Sequence, residues 1–363
     1  MKKFFFIFST VILFSCQPKG ETAKTDSAVN TTDSLRYPEE KHLKNVRMLT
    51  NGGNNAEAYF SFDNSMLVFQ SDFAEWGNQC DQIFYMPVSG TVGQAPKRIS
   101  TGKGRTTCSY FMADHNHILY ASTHLGADTC PPEPERKVDG HYVWPVYDSY
   151  DIFMADLDGK IVKQLSNFPG YDAEATVSPD GKKIVFTSTR SGDLELWTMN
   201  TDGSELKQIT NTPGYDGGAN FSPDSKKIVW RASRPTVGEE QKIYFDLLKK
   251  GLVEPADLEV FVSNADGSEQ KQITHIGKAN WAPNWHPSGE KIIFASNHAG
   301  EKGRNFNLFL VNIDGSGLEK ITYDSVFDAF PMFSFDGKKV AFSSNRFNNG
   351  THDTNVFIAD WVD

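Results

Sequence analysis

The chain has 363 residues, 39% of them hydrophobic and 13% aromatic, with a formal net charge of −10 at pH 7. The acidic balance argues against nucleic acid, or an anionic bilayer surface, as the main partner. Length alone would permit two domains, and the aromatic content suits sheets packed face to face.

The first 15 residues are predicted to be a lipoprotein signal peptide. Two lysines precede an apolar run, Phe4–Phe14, which is too short to span a bilayer. The run leads into Cys16 in a sequence that resembles the bacterial lipoprotein cleavage box, which implies that Cys16 is lipidated. An ordinary signal peptide with an incidental cysteine is the alternative. Gln17 is not the Asp of inner-membrane retention, so we expect an outer-membrane lipoprotein, held by its lipid anchor only, on either side of that membrane.

Residues 16–44 comprise Cys16 and a segment rich in Ser, Thr, Lys, Glu and Asp. This composition offers almost nothing to bury and predicts a flexible tether before a domain at 45–363. Three cysteines remain besides Cys16, and an exported protein can form disulfides. An odd count leaves one thiol unpaired, and we predict a bridge between Cys108 and Cys130.

The rest of the chain repeats one pattern six times. Its clearest copies start at Gly170 and Gly214, 44 residues apart. A period in the forties with several short strands per copy predicts an all-β fold, a six-bladed β-propeller with four-stranded antiparallel blades. The Ser-Pro-Asp-Gly turn of each copy begins at Ser61, Ala113, Ser178, Ser222, His286 and Ser334. The last copy lacks a fourth strand, which we expect Val46–Thr50 to supply, closing the ring.

This pattern resembles the TolB-type propeller repeat, a relative of the tryptophan–aspartate repeat, over about residues 45–363. TolB proper has an N-terminal α/β domain and is a soluble periplasmic protein, whereas a tether and a lipid anchor are expected here. The resemblance therefore implies the fold and an envelope location rather than a role in the Tol–Pal system. Segments beginning at Cys130 and Gly140 also resemble a group of bacterial propeller proteins, some of them fused to zinc aminopeptidase domains.

Two copies carry insertions between their second and third strands, at residues 123–149 and 235–257, which should rise from one face of the propeller. Glu239–Lys250 has the spacing of an amphipathic helix, which either packs on neighbouring loops or acts as a lid or partner-binding helix. The first insertion is rich in proline and aromatic residues. Its Trp144 either packs within the structure or lines a pocket rim that stacks on a sugar or a peptide side chain.

Alignment of the copies also places two rings of polar residues on this face. Five members of the first ring can carry positive charge: His124, Arg190, Arg234, His298 and Arg346. The second ring includes Asp172, Asp216 and Asp328, with Asn55, Thr107 and Asn280 at the other copies. The two rings either pair with each other to hold the blades or form a cationic collar that binds a carboxylate, a uronic acid or a phosphate.

Standard catalytic motifs are missing from the sequence: there is no Gly-x-Ser-x-Gly, Cys-x-x-Cys or His-Glu-x-x-His. We therefore predict no metal or cofactor. Oligogalacturonate lyases are propellers with a histidine-rich metal site, but His124 and His298 come from opposite sides of the ring. Glu57 and Glu174 are weighed as an acid/base pair against solvated or bridging carboxylates, and Cys108 with His124 as a nucleophile pair.

The sequence thus favours an envelope lipoprotein that binds a ligand or protein partner on its loop-rich face. The expected partner is an unknown envelope protein or an anionic glycan or peptide. The alternative is a propeller enzyme that acts on an anionic polysaccharide or peptide.

Overall fold

In a computed structural model, residues 33–91, 93–348 and 350–363 are described. Within them, six four-stranded antiparallel sheets surround a central channel, as predicted. Blades 1 to 3 consist of Asn55–Phe60, Met66–Ser71, Gln82–Pro87, Lys97–Arg98; Thr106–Phe111, His117–Ser122, Asp151–Asp156, Ile161–Gln164; and Asp172–Val177, Lys183–Ser188, Glu195–Asn200, Lys207–Gln208. Blades 4 to 6 consist of Asp216–Phe221, Lys227–Ser233, Leu258–Asn264, Lys271–Gln272; Asn280–Trp285, Lys291–Ser296, Asn307–Asn312, Glu319–Lys320; and Asp328–Phe333, Lys339–Ser344, Asn355–Trp361, Leu43–Met48.

The repeated turn has a repeated set of hydrogen bonds. In blade 3, Ser178 donates to Asp180 over 2.7 Å and accepts from the backbone of Lys183 over 2.9 Å. The backbone N–H of Gly181 donates to the carbonyl of Ser178. Gly181 has a φ of 71°, a left-handed conformation in which glycine is favoured. This turn joins the first and second strands at the face opposite the insertions.

In blade 2 the turn begins one residue earlier than predicted. The backbone N–H of Met112, not of Ala113, donates to the carbonyl of His117. In blade 3 the equivalent bond runs from the backbone N–H of Ser178 to the carbonyl of Lys183. Thr106 rather than Thr107 therefore corresponds to Asp172 of blade 3. The prediction was wrong here because blade 2 has neither the serine nor the proline of the motif. The predicted alignment therefore put Asp114 at the proline position, whereas the structure puts it at the aspartate position, where it accepts from the backbone of Asn116 as Asp180 accepts from Lys182.

The N-terminal strand closes the ring, as expected, by pairing antiparallel with the last strand of blade 6, from Leu43 opposite Trp361 to Met48 opposite Phe357. This strand begins at Leu43, two residues before the expected start of the domain at residue 45. Glu40 is fully buried, because its carboxylate makes two bonds to the equally buried Arg346. The ion pair holds a polar stretch that composition alone assigned to a tether.

The predicted signal peptide (1–15) and Cys16 lie outside the described residues, as do residues 17–32. Among the residues that the structure describes, no helix is long and apolar enough to cross a membrane.

The two insertions meet over one end of the channel. Trp144–Pro145 of the first insertion pairs with Leu252–Val253 of the second, and a small hairpin joins Lys137–Val138 to His141–Tyr142. Helix α1, Glu239–Leu248, ends two residues before its predicted end. A buried cluster of Val143, Leu247 and Leu252 packs this helix on the first insertion. A 3-10 turn, Ala74–Trp76, lies between the second and third strands of blade 1.

Candidate functional site

The first strand of every blade contains a bulge at its third residue. At this point the strand register shifts in all six blades. The third residues have left-handed backbone conformations, with φ between 46° and 61°, and we call them the bulge ring: Glu57, Cys108, Glu174, Gly218, Ala282 and Phe330. A non-glycine residue in this conformation costs on the order of 1 kcal/mol. All six line one cavity of about 330 Å³ in the central channel.

Glu174 is the most heavily bonded member of the bulge ring. One carboxylate oxygen accepts from Arg231 Nη2 over 2.9 Å and from the Tyr215 hydroxyl. The other accepts from the Thr187 hydroxyl over 3.0 Å and from the backbone N–H of Gly218 over 2.6 Å. Burial alone would lower the pKa of Arg231, but the charge of Glu174 raises it above its usual value. This ion pair is a fixed part of the cavity wall. Nothing in the sequence indicated that Arg231 belongs to the site.

Glu57 lies in the same ring without such partners. Its Oε2 atom is buried and accepts no hydrogen bond from the described residues. Burial raises the pKa of Glu57 to about 7, and the charge of Glu174 acts in the same direction, against a hydrogen bond from Cys108. The structure therefore brings the predicted pair of Glu57 and Glu174 to one cavity but gives the two carboxyl groups very different surroundings.

Cys108 is a free thiol beside Glu57. Burial raises its pKa well above the usual value, and the charges of Glu57 and Glu174 raise it further. A thiol held protonated is a poor nucleophile. His124, its suggested partner, instead bonds to Ser122 over 2.9 Å and packs on the ring of Phe153. These contacts do not support the nucleophile pair.

The disulfide joins Cys80 to Cys130, so the predicted Cys108–Cys130 bridge is wrong. Cys80 lies between the second and third strands of blade 1, on the face that carries the insertions, where it meets the first insertion. Cys108 is instead turned into the cavity by its bulge. The spacing of cysteines along the sequence gave no sign of either placement.

The same disulfide brings two carboxylates to Arg105, a second cavity residue that sequence reasoning missed. Asp81 follows Cys80 and lies 3.5 Å from Arg105 Nη1, and Glu133 of the first insertion bonds to Nη2. Burial raises the pKa of Asp81 to about 6, although Arg105 opposes this. The Nε atom of Arg105 is buried without a partner.

Aromatic side chains cover the cavity on the insertion side. Trp144 packs against Trp281 of blade 5 with their ring centroids 4.9 Å apart. The Trp281 indole donates to the carbonyl of Pro255 in the second insertion, and the Tyr147 hydroxyl donates to Pro132. Trp144 thus both packs within the structure and lines the cavity, together with Tyr59, Tyr150, Tyr171 and Phe330.

The remaining predicted site residues lie outside this cavity. Each ring arginine pairs with the ring aspartate of its own blade: Arg190 with Asp172 over 2.6 Å, Arg234 with Asp216 over 2.7 Å and Arg346 with Asp328 over 2.7 Å. His298 bonds to the carbonyl of Ile276. This arrangement follows the structural alternative, in which the Asp and Arg members pair with each other.

The described residues contain no group of three or more His, Cys, Asp or Glu side chains placed to hold a metal ion. The two histidines weighed as metal ligands, His124 and His298, each bond within their own side of the ring.

Comparison with known proteins agrees with this architecture. The family model for the TolB beta propeller domain matches residues 142–254, and no curated protein matches the chain. Similar solved structures include a putative TolB from Agrobacterium tumefaciens, at 18% identity and a TM-score of 0.55 over 86% of this chain and 91% of that one. TolB from Acinetobacter baumannii has 17% identity and a TM-score of 0.53 over 85% of this chain, which spans only 63% of that protein.

An oligogalacturonate lyase from Vibrio parahaemolyticus is similar at 12% identity, with a TM-score of 0.50 over 87% of this chain and 93% of that one. Identities this low establish the fold and leave the chemistry to the residues of the site. The chain is therefore a six-bladed β-propeller in which residues 142–254 are similar to the TolB beta propeller domain.

Proposed function

We propose that this protein is an exported binding protein that holds a small ligand in the central cavity, beneath the two insertions of its loop-rich face. The observation that carries the proposal is a set of unsatisfied polar atoms on residues that line the cavity. Glu57 Oε2, Arg105 Nε and Arg231 Nε are all buried without a partner among the described residues. Buried polar groups are normally hydrogen-bonded, and a ligand that donates to Glu57 Oε2 would satisfy the one acceptor among them.

The shape of the cavity supports the same proposal. Its volume of about 330 Å³ lies near the lower end of the range for ligand pockets, roughly 300–1,000 Å³. Aromatic rings line its wall and insertions roof it, so a bound molecule would lose most of its contact with water. We place the protein in the bacterial envelope because of the predicted lipoprotein leader, with Cys16 as the anchor at the outer membrane.

An enzyme acting on an anionic polysaccharide or peptide is the second candidate. Glu57 favours it, since a carboxyl group with a pKa of about 7 can transfer protons near neutral pH. A binding protein leaves its ligand unchanged, so product analysis after incubation with any ligand that binds separates the two candidates.

A thermal-shift screen of the full chain against amines, amino acids, sugars, uronic acids and short peptides tests the proposal. A ligand at 100 times its dissociation constant should stabilise the fold by about 2.7 kcal/mol. The matched variant is Ala282→Phe, which fills the cavity from a bulge position that Phe330 already occupies in blade 6. Its control, Val237→Phe, adds the same ring at an exposed site.

We expect a hit that is lost in Ala282→Phe and kept in Val237→Phe. A hit that survives in Ala282→Phe would place binding elsewhere and overturn the proposal, as would a screen without hits.

A further inference from the structure

The charges that line the cavity do not cancel. Arg231 is neutralised by Glu174, and Arg105 lies between Asp81 and Glu133. Glu57 takes part in no ion pair of the described residues, and no Lys, Arg or His there lies within ion-pair distance of it. Among the described residues that line the cavity, Glu57 is therefore the carboxylate without a cationic partner, and its Oε2 atom is buried.

An anion gains little from this arrangement. Both guanidinium groups already have carboxylate partners, and a second anion beside Glu57 and Glu174 would add like charges in a buried place. The anionic ligand expected from the sequence depended on the ring arginines. In the structure each of these arginines pairs with the aspartate of its own blade.

Two features of the cavity favour the binding of a cation. It would supply the counter-charge that Glu57 lacks, and a buried carboxylate is costly without one. The cavity is also lined by Tyr59, Trp144, Trp281 and Phe330, and aromatic rings attract ammonium groups. The same rings offer contact area to an apolar body attached to the ammonium group.

We infer that the cavity binds a small organic amine, with its ammonium group on the carboxylate of Glu57 and its apolar body against the aromatic wall. This inference rests on the proposed function, because it requires the cavity to be a ligand site. The volume of about 330 Å³ admits a body the size of an aromatic ring with a short chain.

Isothermal titration of the full chain with three probes of matched shape tests the inference: 2-phenylethylamine, 2-phenylethanol and 3-phenylpropionate. Each is titrated into the wild type, Glu57→Gln and Glu239→Gln. Glu239 is an exposed glutamate of the second insertion, outside the cavity, so its variant controls for the loss of one carboxylate on the same face. Thermal unfolding without probe verifies that the variants fold.

We expect the amine to bind about tenfold or more tightly than the alcohol, and Glu57→Gln to weaken the amine by a similar factor. The Glu239→Gln protein should bind the amine as the wild type does. An amine that fails to bind, or that binds Glu57→Gln equally well, would overturn the inference. If the alcohol or the acid binds as tightly as the amine, and Ala282→Phe abolishes that binding, the inference is overturned while the proposed ligand site stays intact.

Discussion

Gly218 lies directly against the guanidinium group of Arg231: a Cβ atom added at Gly218 would lie 1.8 Å from Arg231 Nη1. Arg231 is held there by Glu174 and by the ring of Tyr215, 5.1 Å away. Of the six bulge-ring positions, this is the one occupied by glycine. The bare backbone of blade 4 therefore makes room for the cation of the buried pair.

Replacing this glycine should damage the pair. We expect Gly218→Ala to destabilise the protein by about 2–3 kcal/mol, because Arg231 must move from Glu174 and the alanine takes a left-handed φ. The control is Ala282→Gly, at the equivalent position of blade 5, where strain is relieved and stability should change by less than about 1 kcal/mol. Denaturant unfolding compares the two, and equal effects would contradict the packing argument.

The raised pKa of Glu57 predicts that this residue makes the folded state less stable as the pH rises. An acid whose pKa rises on folding binds its proton more tightly in the folded state, so its contribution is intact below about pH 4.5 and is lost as the pH rises through about 7. Glu57→Gln removes this effect. Relative to the wild type, the variant should therefore gain up to about 3 kcal/mol between pH 5 and pH 8.

Asp81, with its pKa of about 6, titrates in the same window, and Cys108, Glu174 and Arg231 also act on Glu57. All of these groups remain in the Glu57→Gln protein. The difference in unfolding free energy between variant and wild type, measured at several pH values, therefore isolates Glu57. A difference that does not change with pH would show that Glu57 has an ordinary pKa.

The disulfide should contribute both stability and the position of Arg105. The bridge separates its cysteines by 50 residues, for which chain entropy predicts a loss of about 4 kcal/mol in Cys130→Ser. Non-reducing peptide mapping should link Cys80 to Cys130 and find Cys108 alkylated only after unfolding. The control Cys108→Ser keeps the bridge. A peptide that links Cys108 to Cys130 would contradict the structure.

The buried pair of Glu40 and Arg346 should mark the true N-terminal limit of the domain. Glu40→Gln leaves Arg346 with its Asp328 partner but without its bidentate one, and removal of one member of a buried pair costs about 3–5 kcal/mol. Glu39→Gln, one residue earlier at an exposed position, should have almost no effect. Thermal unfolding of both variants tests this, and equal midpoints would restore the boundary at residue 45.

The periodic features of the fold were predictable. Apolar second strands and turns recur at fixed spacing, which indicates the blades. The unmatched Val46–Thr50 segment supplied the strand that the last blade lacked, which indicated closure of the ring. The common face of the two insertions followed from the same reasoning, since both join second to third strands.

The site was mostly hidden, because its members share a backbone position and not a residue type. Glu57, Cys108, Gly218 and Phe330 have nothing in common in sequence, and the one-residue error in blade 2 removed Cys108 from the alignment. Arg105 and Arg231 lie outside the repeated polar positions. Conversely, the ring arginines were conspicuous because they repeat, and they repeat because each blade uses the same internal ion pair.

The closing strand has a mechanical consequence. If the chain is tethered through Cys16, a pull on the tether acts first on the segment just before Leu43–Met48, the only strand that joins the beginning of the described chain to its end in blade 6. The buried contact of Glu40 with Arg346 lies between the point of pulling and that strand. A force transmitted from the membrane would therefore act on the Glu40–Arg346 contact with blade 6 before it could separate the closing strand from that blade.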